Sequence, residues 1–149
     1  MRTPAFLQTR VERLERAGDV AGIVAILADH HQKTYERAHA AKALAELHEP
    51  TALPAFHRAA LDGDWMIRVF AAHGFDRLRA QDSLVELVGL LADRESGVRE
   101  AAAAALASVG DGRVRPLLER AAVTDPYPWV REAARDALIV VLSGTPVDE

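Results

Sequence analysis

Four segments of this chain superimpose without gaps: 35–47 (YERAHAAKALAEL), 66–78 (MIRVFAAHGFDRL), 97–109 (GVREAAAAALASV) and 129–141 (WVREAARDALIVV). One position in each is arginine, Arg37, Arg68, Arg99 and Arg131, at spacings of 31, 31 and 32 residues. A unit of this length is too small to bury an apolar face by itself, so a chain built from it must stack the units side by side. Counted from each arginine, the third position is Ala40, Ala71, Ala102 and Ala134, and the sixth is Ala43, Gly74, Ala105 and Ala137. The seventh is Leu44, Phe75, Leu106 and Leu138, and the tenth is Leu47, Leu78, Val109 and Val141. Steps of three and four put these residues on one stripe of a helix. The small ones let neighbouring helices approach and the large ones fill the space between them.

Six residues before the arginine stands Asp62, Asp93 or Asp125 in the last three units, with His31 at the equivalent place in the first. Each aspartate is preceded by a second apolar helical stretch, 52–61, 83–92 and 114–123, and 20–29 plays that part in the first unit. Thr34, Thr51, Asp82, Ser96 and Asp125 are expected N-caps, and Gly110 an expected helix stop. The chain therefore reads as one all-α domain over 1–149. It holds an N-terminal capping helix at 4–17 (within 1–19), four helical hairpins at 20–47, 51–78, 82–109 and 113–142, and a tail at 143–149. No segment alternates as a strand would.

The pattern in Asp93-Arg94-Glu95-Ser96-Gly97-Val98-Arg99-Glu100-Ala101 and onward through Leu106 resembles a HEAT repeat, in the short bacterial form of the phycocyanobilin lyases. The resemblance covers roughly residues 20–142. It implies a HEAT-like α-solenoid, a right-handed superhelix of hairpins whose arginine-bearing second helices line the concave side. It also implies that Arg37, Arg68, Arg99 and Arg131 with Asp62, Asp93 and Asp125 form a structural ladder in which the pair fixes the turn. Repeats of this kind serve scaffolds, chromophore lyases, a metal hydroxylase and a class of DNA glycosylases, so the resemblance implies an architecture rather than one activity.

The composition narrows the chemistry. The chain has 149 residues, formal net charge −4 and no cysteine. Thiolate nucleophiles, disulfides and cysteine-bound zinc are thereby excluded. Residues 1–78 carry ten acidic and ten basic side chains, and 79–149 carry twelve and eight, so no cationic surface for nucleic acid is expected. The apolar run 138–142 is too short to span a membrane. A cytoplasmic protein is expected. No Gly-rich phosphate loop is present, and Gly89, Gly97 and Gly112 stand alone. The His48-Glu49 dipeptide is similar to the His-Glu pairs of the HEAT-repeat iron hydroxylases, where each pair directly follows the turn arginine. Here those places hold Ala38-His39, Val69-Phe70, Glu100-Ala101 and Glu132-Ala133, so neither metal nor cofactor is expected. His39 is expected to be partly buried.

What remains is surface. All four Trp and Tyr residues, Tyr35, Trp65, Tyr127 and Trp129, fall two to four residues before an arginine, and stacking is expected to bring Tyr35 near Trp65. They form one candidate partner-binding edge at the turns. Rows off the core stripe form a second, on the concave wall. These are Ala38, Val69, Glu100 and Glu132; Lys42, His73, Ala104 and Asp136; and Ala45, Asp76, Ala107 and Ile139, with Arg135 beside them. The expected function is a non-enzymatic scaffold binding a protein or peptide partner. The alternative is a lyase-like or accessory protein holding a tetrapyrrole or other apolar ligand, with His39, His73 and Arg135 as polar contacts. Ile139, Val140 and Leu142 on the last helix are expected to be covered by a second copy of the chain or by the tail.

Overall fold

Small residues decide how closely the helices of this chain approach. The computed structural model describes residues 8–144; residues 4–7 of the expected first helix and 145–149 of the expected tail lie outside the described residues. Among the described residues there are nine α-helices and no strand. The first, α1 (Arg10–Ala17), is followed by α2 (Val20–Ala28), α3 (Thr34–Leu47), α4 (Leu53–Ala59) and α5 (Trp65–Arg77). Then come α6 (Leu84–Leu90), α7 (Ser96–Val109), α8 (Arg115–Thr124) and α9 (Pro128–Ser143). Helices α3, α5, α7 and α9 stack in a row, while α2, α4, α6 and α8 each back the second helix of their own pair. This is an all-α, HEAT-like α-solenoid. Ala40, Ala71, Ala102 and Ala134 are fully buried in that row, with Leu44, Phe75 and Leu106 between its helices. Leu138, the last of that series, is only partly buried, and no helix among the described residues packs beyond it.

The N-terminal end is closed by α1, which packs on α2 and α3. It starts at Arg10, where the capping box of Thr9 and Glu12 satisfies two backbone N–H groups, at 3.2 and 2.7 Å. Residues 8 and 9 of the expected first helix therefore precede it.

The five expected N-caps do not form. Thr51 and Asp82 lie inside one-turn 3-10 helices, Pro50–Ala52 and Gln81–Ser83, that lead into α4 and α6. Thr34 and Ser96 are the first residues of α3 and α7, which have no side-chain cap. Asp125 ends α8 and accepts instead from the Tyr127 N–H, at 3.0 Å. Gly110 does stop α7, for want of space: a Cβ there would lie 2.4 Å from the Leu106 carbonyl oxygen.

Gly74 has a different reason for being glycine. Its equivalents are Ala43, Ala105 and Ala137, but a Cβ at Gly74 would lie 2.5 Å from the Phe56 ring. Phe56 is fully buried and meets Phe75 edge-on at 6.3 Å. The second unit thus exchanges a methyl on α5 for a phenyl ring from α4.

The charged ladder differs from the expectation that each pair fixes its own turn. Arg68 on α5 donates from Nε and Nη2 to both oxygens of Asp93, in the following unit, at 2.8 and 3.0 Å. Arg99 does the same to Asp125, at 2.7 and 3.1 Å, and Arg37 pairs with Asp62. With its own turn each arginine makes only backbone contacts. Nη1 of Arg68 donates to the carbonyls of Asp62 and Gly63, and Nη1 of Arg99 to those of Asp93 and Arg94. The ladder therefore ties each unit to the next. Burial opposes the charge on Asp62, Asp93 and Asp125, but the arginine hydrogen bonds and one turn N–H each outweigh it, so all three carboxyls titrate below the ordinary value.

Two outcomes follow for stability. Gly74→Ala should gain about 1 kcal/mol of helix propensity yet lose about 1–3 kcal/mol from overpacking against Phe56, so urea unfolding should show a net loss. Asp93→Ala leaves Arg68 without its counter-charge and should cost about 3 kcal/mol. Because the folded carboxyls titrate below the unfolded ones, their contribution is present above the unfolded value and fades as pH falls through the folded one. Unfolding followed from neutral pH down to acid should therefore show a shallower acid loss in the Asp93→Ala protein than in the wild type.

Candidate partner-binding surface

Each second helix starts at the turn edge, so the residues just before the ladder arginines form rows along the stack. Two positions before the arginine stand Tyr35, Met66, Gly97 and Trp129. Tyr35 is 65% exposed, and Trp65, Tyr127 and Trp129 are 43–45% exposed, so the aromatic edge is not tucked away as packing. Trp65, one position off the row, leans over the next unit: a Cβ on Gly97 would stand 3.4 Å from its ring. Tyr127 and Trp129 lie against each other with centroids 4.7 Å apart and their rings tilted by 38°, and the Arg99 guanidinium lies 5.8 Å from the Tyr127 ring centroid. The Lys33 amine lies 5.8 Å from that of Tyr35. Tyr35 shares a groove with Met66, which holds the position equivalent to Tyr35, and with Phe70.

On the wall of second helices the structure exposes Lys42, His73, Ala104 and Asp136, together with Glu100, Glu132 and Ile139. Val69, Asp76 and Ala107 are half-buried. Ala38 and Ala45, expected on the wall, are buried in the stack, since their side chains are too short to clear the neighbouring helix. Asp76 accepts a hydrogen bond from the Ser108 hydroxyl and links α5 to α7. The His73 ring lies 5.9 Å from Phe70, edge-on, and desolvation holds its pKa below the ordinary value despite Asp76 and Glu100 nearby. Arg135 belongs elsewhere. It occupies the place of the buried Ala41, Ala72 and Ala103, lies exposed at the open end of the stack, and donates to the Ala122 carbonyl at 3.4 Å.

Edge and wall converge at one place. Tyr35, Ala38, His39, Lys42, Met66 and Phe70 line an almost wholly apolar groove of about 220 Å³ between α3 and α5. Tyr35 and His39 also border a second depression of about 150 Å³ against α1 and α2, with Val11 and Ile26. His39 is half-buried, in line with its reading from sequence. Met66 and Phe70 were not singled out from the sequence, although their register against Tyr35 and His39 carries the signal.

On the opposite face, grooves of about 230 Å³ and 330 Å³ lie between α2 and α4 and between α6 and α8. Between α4 and α6, His57 reaches Glu86 at 2.5 Å. Among the described residues no three His, Asp or Glu converge as a metal site, and no helix is long and apolar enough to cross a membrane.

The sequence pattern described as HEAT repeats matches residues 20–93 and 62–139. No curated protein sequence matches the chain. Among solved structures, the complex of CpcE and CpcF of phycocyanin lyase from Nostoc sp. PCC7120 aligns with a TM-score of 0.75 and 23% identity over 89% of this chain and 56% of that one. Human deoxyhypusine hydroxylase in complex with glycerol aligns with a TM-score of 0.67 and 24% identity over 94% of this chain and 51% of that one. The chain thus spans about half the length of either. The expectation that it is not an enzyme is overturned here: both of these neighbours are enzymes, so the fold does not carry that exclusion. With matches that together run from residue 20 to residue 139, the chain belongs to the HEAT-repeat family.

Proposed function

We propose that this chain is a protein-binding solenoid that joins a partner protein through the groove where the turn edge meets the wall. The observation that carries this reading is the convergence of exposed Tyr35 and Met66 with half-buried Phe70 on one apolar groove, with Lys42 among its lining residues. Such a groove suits one or two apolar side chains of a helix or extended segment, with an acidic neighbour for Lys42. The likeness to a structure described as a complex of CpcE and CpcF supports a component that works in an assembly. A tetrapyrrole or other apolar small ligand is less well served: the groove's 220 Å³ is below the range of about 300–1,000 Å³ usual for such pockets. The reading places the protein in the cytoplasm and away from nucleic acid. It also includes association of two copies through α9, whose Ile139, Val140 and Leu142 are exposed.

The test is a cross-linked capture of the partner, its identification by mass spectrometry, and titration of the purified pair. Tyr35→Ala with Met66→Glu should weaken binding about 10- to 100-fold while helicity stays unchanged. Unaltered affinity would remove the groove from the interface.

A further inference from the structure

The wall of second helices changes its chemistry along the stack. In the first two units its rows hold Ala38 and Lys42, then Val69 and His73, and the apolar groove at Tyr35, Met66 and Phe70 opens among them. In the last two units the same rows hold Glu100 and Ala104, then Glu132 and Asp136. Glu100, Glu132 and Asp136 are exposed, and none has an ion-pair partner among the described residues. From residue 93 to residue 136 every other acidic side chain has one. Asp93 and Asp125 stand in the ladder, and Glu95, Asp111 and Glu119 each hold a neighbouring arginine. The acids of these units are thus paired away from the wall and unpaired on it. The closest cations of the row helices do not offset them. Lys42, beside Glu46 at 3.9 Å, and Arg77 belong to the first two units, and Arg135 donates to the Ala122 carbonyl away from the wall. Desolvation keeps His73 uncharged at neutral pH.

We infer that the partner of the groove is a protein segment with an apolar residue seated between α3 and α5 and basic residues laid over Glu100, Glu132 and Asp136. This rests on the reading of the groove as the partner site, and adds the partner's charge and direction. The three acids by themselves select no particular molecule. The groove fixes one end of the segment, and the acids fix what the rest of it must carry. Like charge at Lys42 turns the basic end away from α3, and opposite charge draws it over α7 and α9. Ala104, exposed beside Glu100, is short and keeps the path between them low. Packed helices lie about 8–10 Å apart, so the two helix steps from the groove to the acids cover about 16–20 Å. That distance is about five or six residues of extended chain.

The test is selection of a displayed library of random peptides, about 12 residues long so that they span this distance, against the full chain. Peptides of the enriched sequences are then synthesised and titrated against variants whose helicity is unchanged. Enriched sequences should join an aromatic or aliphatic residue to two or more Lys or Arg about five or six positions away. Glu100→Lys with Glu132→Lys should weaken their binding about 10-fold or more, and added salt should weaken binding to the wild type. The same double variant should bind, better than wild type does, a peptide whose Lys and Arg are replaced by Glu, a gain that mere damage to the fold would not give. Tyr35→Ala with Met66→Glu should weaken the original peptides about 10- to 100-fold. Enriched sequences that need Tyr35 and Met66 but are neutral or acidic, or that ignore the changes at Glu100 and Glu132, uphold the groove and overturn the basic partner. Sequences indifferent to both pairs of changes, or no enrichment over an empty support, overturn the groove and the basic partner together.

Discussion

The fork of one arginine between two turns is the constraint on which this structure depends. Arg68 reads the backbone of its own turn through Nη1 and the carboxylate of the next turn through Nε and Nη2, and Asp93 in turn accepts the Glu95 N–H. Three elements are fixed by one planar group, and Arg99 with Asp125 repeats the arrangement. Guanidinium geometry is rigid, so the spacing from turn to turn is set as firmly as the helix packing below it. The alanines of the stripe bring the helices together, and the ladder fixes where along their length they meet. Neither would suffice alone, since a stripe of small residues tolerates sliding and a bidentate pair does not.

Regular turns have a consequence for the surface. Because they are held in register, the residues ahead of each arginine fall in rows, and departures within a row leave shape behind. Gly97 gives the Trp65 ring room to lie over the third unit. Met66 in place of an aromatic lets Tyr35, Phe70 and His39 frame a groove. The surface that could recognise a partner is thus made by substitutions within the repeat, on a frame that the repeat itself keeps constant. The neighbours of known structure share that frame over about half their length, at identities that speak for the fold alone.

Much of this was legible from the chain. The apolar stripe identified the helices that stack, the ladder residues were all found, and the half-burial of His39 followed from its register. The caps were not legible, because Thr51 and Asp82 can cap a helix or sit in a 3-10 turn, and that choice depends on how the incoming chain is held. Ala38 and Ala45 were placed on the wall by their helical angle, yet a methyl group at the edge of a stripe is covered once the next helix arrives. Arg135 was misplaced for the opposite reason. Among the described residues no helix packs beyond the last unit, and a position buried in the other units is exposed there.

By itself the sequence determined the period, the stripe and the residue types of the ladder, since these are local properties of a helix repeated at fixed intervals. It left open which aspartate each arginine would take: the carboxylate six residues back and the one about 25 residues ahead are equally present in the string. Only the tertiary structure decided for the latter, because stacking carries the next turn into reach of the guanidinium fork while the helix start points the own-turn carbonyls, not the side chain, at Nη1. The groove at Tyr35 was decided the same way, by which neighbour each unit meets.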